Sequence, residues 1–90
     1  MIHKEVDVLL GGMLLTRQAA NLSQRMQAYE SRLLLRRGEM TVNGKSLMGI
    51  VSLGIQGGQR ITVMAEGPDE EAVVAEFSRL MAGDSPLTEG

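Results

Sequence analysis

The 90-residue chain carries 43% hydrophobic and 22% charged residues, close to the averages of globular domains, which excludes disorder and leaves material for only one core. Cysteine is absent, so disulfides, a thiolate nucleophile and sulfur-ligated zinc are excluded, and the composition suits a reducing cytoplasm. A net charge of −2 with one Tyr and one Phe offers neither an electrostatic footprint nor a stacking platform for nucleic acid. The longest uncharged stretch considered for a membrane, Ser46 to Gln59, is glycine-interrupted and too short to span one, and residues Met1 to Val6 lack the apolar segment of a secretory signal. The expectation is a cytoplasmic protein with no direct nucleic-acid or membrane contact.

In chain order, Ile2, Lys4, Val6 and Val8 alternate with His3, Glu5, Asp7 and Leu9, the period of a strand, which Gly11-Gly12 ends. Thr16 has a hydroxyl suited to capping, and Ala19, Leu22, Met26 and Tyr29 recur at helical spacing, predicting a helix over about 17 to 28. Leu33 to Leu35 and Met40 to Val42 flank Arg36-Arg37-Gly38-Glu39, a hairpin with Gly38 at its turn. Asn43-Gly44 makes a second turn, and Ser46 precedes Leu47, Met48, Ile50, Val51 and Leu53, a two-turn helix closed by Gly54. Arg60 to Ala65 reads as a strand that Gly67-Pro68 stops, and Asp69 is placed to cap a last helix with Ala72, Val73, Phe77, Leu80 and Met81 on one stripe. Residues 1-83 form the domain, and 84-90, with Ser85-Pro86, read as a flexible C-terminal tail.

The stretch from Val42 through Asn43-Gly44-Lys45-Ser46-Leu47-Met48-Gly49 to Gly54 resembles the regulatory segment of the HPr family, the histidine-containing phosphocarrier proteins of the bacterial sugar phosphotransferase system. Thr16-Arg17 with Ala19-Ala20, and Gly67-Pro68-Asp69-Glu70-Glu71, support the resemblance, which runs over roughly residues 2 to 82. It implies an α+β fold, an open-faced β-sandwich in which a four-stranded antiparallel sheet is covered on one face by three helices, in the order βαββαβα. The family's relay segment reads Gly-Leu-His-x-Arg-Pro-Ala-Ala, whereas this chain reads Met13-Leu14-Leu15-Thr16-Arg17-Gln18-Ala19-Ala20. Leu15 therefore stands at the relay position, and a leucine has no lone pair with which to attack phosphorus. The resemblance is to the histidine-lacking regulatory variant within the family, called catabolite repression HPr, and implies a protein that is not an enzyme and has no catalytic residue, metal or cofactor.

Ser46 reads first as an N-cap worth about 1 kcal/mol. A phosphate there would also meet unpaired N–H groups and present nearly two charges to a partner. The resemblance implies that a serine kinase/phosphorylase modifies Ser46, and that the modified protein binds a catabolite control repressor or a metabolic enzyme. It further implies a partner-binding surface of Leu47, Met48 and Val51 with Arg17. A helix so apolar must leave some side chains exposed, and methionine adapts to several partners. Lys45 and Arg60 read as solvent-facing, and His3, the only histidine, as a solvated strand residue. A constitutive binding module of the same fold, independent of phosphorylation, is the alternative, and homodimerisation by strand exchange stays open.

Overall fold

A computed structural model describes residues 1–83 and 87. Its elements follow the order β1 (Ile2–Asp7), α1 (Thr16–Gln27), β2 (Arg32–Arg37), β3 (Met40–Asn43), α2 (Leu47–Leu53), β4 (Arg60–Glu66) and α3 (Glu70–Met81). The strands form one antiparallel sheet in the spatial order β1-β4-β2-β3. The register aligns apolar side chains across the strands: Leu33 faces Ala65, Leu35 faces Val63, and Val6 faces Ile61. Strand alternation sends all six to the same side of the sheet. There they are buried against Ala19, Leu22 and Met26 of α1, Ile50 and Leu53 of α2, and Val73, Phe77, Leu80 and Met81 of α3. Each fully buried large apolar side chain contributes about 1.5–3 kcal/mol, so this layer is what holds the fold. The other face of the sheet has no helix on it, and carries the exposed His3, Glu5, Arg36 and Thr41.

Several local features differ from the sequence expectation. The N-cap of α1 is Leu15, not Thr16, which already lies in the first turn. A leucine gives the helix no side-chain acceptor; instead Gln18 Oε1 reaches back to accept from the Leu15 amide at 2.8 Å. Asp69 does sit at the N-cap of α3, but its carboxylate makes no cap bond. It turns outward to accept from the amides of Glu30 and Ser31, both at 2.9 Å, and from the Ser31 hydroxyl. The seam between α3 and the start of β2 gains what the helix end gives up. Gly67 is required there, since at φ 151° it approaches Ser31 so closely that an added Cβ would lie 2.6 Å from the Ser31 Cα.

The last residues expected to form a tail lie outside the described residues, except Leu87. That side chain is buried with the core, and its carbonyl accepts from Asn21 Nδ2.

Candidate functional site

The helices α1 and α2 lie side by side and run in opposite directions. Near the C-terminal half of α1, the Ser23 hydroxyl and Gln27 Nε2 donate to the Lys45 carbonyl at 2.8 and 3.1 Å. At the other end the Leu14 amide donates to the Ile55 carbonyl at 2.8 Å, and Met13 pairs with Gln56. Gly57 allows this crossing because a Cβ there would lie 2.1 Å from the Leu10 carbonyl oxygen. The segment leading into α1 is thereby fixed beside the end of α2.

Ser46 is the N-cap of α2, half-buried, with its Oγ accepting from the Gly49 amide at 3.1 Å. The cap role foreseen for it is in place. The other end of α2 closes on Gly54 at φ 67° and ψ 49°, and two side chains remote in sequence complete that end. Arg37 Nε donates to the Leu53 carbonyl at 2.9 Å and Gln59 Nε2 to that of Gly54 at 3.1 Å. A β-hairpin arginine carries no sequence signal that it will cap a helix from across the fold.

Ile50 and Leu53 are the buried side of α2. The opposite side leaves Met48 72%, Val51 43% and Leu47 37% exposed. Met13 and Leu15 are each 61% exposed, in the segment beside the end of α2. Sequence reasoning placed Leu15 at the relay position but missed that both residues enlarge the apolar surface. Arg17, the second residue of α1, is exposed and makes no ion pair among the described residues. Neither α1 nor α2 contains an acidic residue. The structure therefore leaves Leu15 and Arg17 exposed at the start of α1, and Leu47, Met48 and Val51 exposed on the adjacent α2, with Ser46 at its N-cap.

Lys45 is not solvent-facing. Its Nζ donates to the Tyr29 carbonyl at 2.6 Å, satisfying a free carbonyl just past the end of α1, and its amide donates to Asn43 Oδ1. Arg60 is exposed as expected, paired with Asp7 at 3.0 Å and Glu5 at 3.3 Å. His3 lies exposed on the helix-free side of the sheet, away from Arg17.

Three shifted titrations lie at the α3 seam, and a fourth lies on β4, where the hydrogen bond to Asp7 raises Arg60. The Ser31 hydroxyl and the Glu30 amide, both donating, hold the Asp69 carboxyl below its ordinary range. The Gly67 amide and the amino terminus do the same for Glu70. Tyr29 is pushed up, first because it donates to Glu76 and then by burial. Among the described residues no group of three or more His, Cys, Asp or Glu side chains is placed to hold a metal ion, and no helix is long and apolar enough to cross a membrane.

The fold and this face define a small α+β domain that presents a helical surface. The family model described as "PTS HPr component phosphorylation site" matches residues 2–83, and the chain belongs to the HPr family. It is similar to the phosphocarrier protein HPr of Treponema pallidum, 34% identical over 80 residues, covering 89% of this chain and 91% of that protein. It is also similar to the HPr-like protein Crh of Halalkalibacterium halodurans, 38% identical over 71 residues, covering 79% and 84%. Among solved structures, a crystal structure of a phosphocarrier protein HPr from Bacillus anthracis superposes with a TM-score of 0.81 at 35% identity, covering 86% of this chain and 92% of that one. The expected open-faced sandwich, with its order βαββαβα, is the observed fold.

Proposed function

We propose that this chain is a regulatory HPr-like protein of carbon catabolite control, acting through protein contacts on the α1–α2 face and switched at Ser46. The observation that carries the reading is the placement of a half-buried cap serine at the edge of the exposed Leu47, Met48 and Val51. A serine kinase/phosphorylase would transfer the γ-phosphoryl group of ATP to Ser46 Oγ, with loss of the hydroxyl proton and release of ADP. The product carries nearly two negative charges and three strong acceptor oxygens, which an arginine or lysine of a catabolite control repressor or a metabolic enzyme can take up beside the apolar contacts. Arg17 supplies a second polar anchor on the same surface.

Phosphorelay from phosphoenolpyruvate is not part of this reading. Leu15 offers no nucleophile, and the segment from Met13 to Gln18 contains neither histidine, cysteine nor acid. The exposed apolar side chains of Met13 and Leu15 suit docking, which supports a role through protein contacts.

The reading is tested by incubating the protein with the serine kinase and ATP, then with phosphoenolpyruvate and the relay's first enzyme, with mass spectrometry of the products. Acid-stable phosphate on the peptide containing Ser46, and none from phosphoenolpyruvate, is the expected result. Acid-labile phosphate from phosphoenolpyruvate would overturn it. The alternative of a constitutive binding module draws on the Ser46 to Gly49 cap bond, which gives this serine a structural role sufficient by itself. An unmodified Ser46 together with partner binding by the unmodified protein would favour that alternative.

A further inference from the structure

Arg17 and Ser46 bracket the exposed apolar side chains of the α1–α2 face. Ser46 lies at the end where Lys45 meets Ser23 and Gln27, and Arg17 lies toward the end where Leu14 meets Ile55. At about 1.5 Å per residue, the seven residues of α2 set these ends roughly 10 Å apart. Between and beside them stand Leu15, Leu47, Met48 and Val51. The face thus has a cation at one end, a site for an anion at the other, and an apolar stripe between. With no acidic residue in either helix and no ion pair at Arg17 among the described residues, its guanidinium is available to a phosphate or to another molecule.

We infer that this face, once Ser46 is phosphorylated, pairs with a second copy of itself. The inference rests on the reading of Ser46 as a phosphorylation site. A surface of this polarity is self-complementary under a two-fold axis through the middle of the stripe, because rotation places Arg17 of each copy over Ser46 of the other. Two guanidinium–phosphate contacts then close over the apolar side chains of both copies, the bidentate geometry that arginine favours with phosphate. Without the phosphate, each Arg17 would be desolvated against a neutral hydroxyl, and the pairing loses its charge complementarity. The pair occupies Leu47, Met48 and Val51, so self-pairing and docking of a regulatory partner exclude one another.

The test uses the full chain with phosphoserine installed at position 46 during translation, which removes any dependence on a kinase, and reads self-association by sedimentation over a concentration series. The phosphorylated chain should associate at least about tenfold more tightly than the unmodified chain, the gain expected of new charge-assisted contacts. Arg17→Glu in the phosphorylated chain should abolish that gain, and an unphosphorylated chain carrying both Arg17→Glu and Ser46→Arg should recover pairing through the exchanged charges. A phosphorylated chain that stays monomeric, whether because Arg17 folds back on its own phosphate or because the face serves only a different protein, overturns the inference. Association that ignores both phosphate and Arg17→Glu also overturns it, since that is the behaviour of strand exchange. Because the phosphate is installed directly, these outcomes leave the kinase reaction to its own assay.

Discussion

Two seams of the same molecule are built on opposite rules. Where α3 meets the start of β2, polar groups find partners distant in sequence: Asp69 takes three donors from Glu30 and Ser31, its own amide donates to the Ser31 hydroxyl at 3.1 Å, and Glu76 receives both Tyr29 and Arg25. On the α1–α2 face, Arg17 has no ion pair among the described residues and Leu15, Leu47, Met48 and Val51 are left to solvent. Exposed apolar side chains gain nothing from folding, whereas saturated buried bonds are costly to break. Polar stabilisation is therefore concentrated in the α3 seam, and the proposed recognition in the α1–α2 face. Substitutions in the first should unfold the protein without altering what the folded fraction binds. Those in the second should do the reverse.

The largest effect is expected from Gly67→Ala, which forces a Cβ into Ser31 at a φ that L side chains rarely adopt. Loss of at least about 3 kcal/mol, read from the urea midpoint, is the expected outcome. Next comes the acid response of Asp69. Its carboxyl in the folded state lies below the unfolded value, so its contribution is fully present above the unfolded pKa of about 4 and is lost as pH falls through the lower folded value. Asp69→Asn should be less stable than the parent at neutral pH, and the gap should close below about pH 4 when urea midpoints are compared across pH. Ser46→Ala removes one cap and should cost about 1 kcal/mol with the fold retained. Smallest in stability is Met48→Ser, within about 0.5 kcal/mol by thermal unfolding, because that side chain is exposed. If Met48→Ser lowered stability as much as Gly67→Ala does, the division between the two seams would fail.

The regular elements were legible because their signals are local. Alternation in Arg60 to Ala65 and helical recurrence in Ala72 to Met81 predict β4 and α3 to within a residue or two at each end, and the Ser46 cap follows from a serine directly ahead of an apolar run. The resemblance of Val42 to Gly54 to the HPr family was equally plain in the chain itself. What escaped was set by contacts between distant residues. Lys45 reads as a surface lysine until α1 brings the Tyr29 carbonyl to it, and Asp69 reads as a cap until β2 brings Ser31. Thr16 looks like the better cap than Leu15, but pairing of Met13 with Gln56 sets where α1 starts. Leu15 was legible as the leucine standing where the family resemblance leads one to expect the relay histidine. Its exposure beside Met13 needed the fold.

The central claim is that Ser46 controls what the α1–α2 face binds, and calorimetric titration of a catabolite control repressor tests it most directly. Kinase-treated protein should bind at least about tenfold more tightly than untreated protein, a difference of about 1.4 kcal/mol that one charge-assisted contact can supply, while Ser46→Ala should bind like the untreated form. Equal affinities for the treated, untreated and Ser46→Ala forms would contradict the account and leave Ser46 as a helix cap.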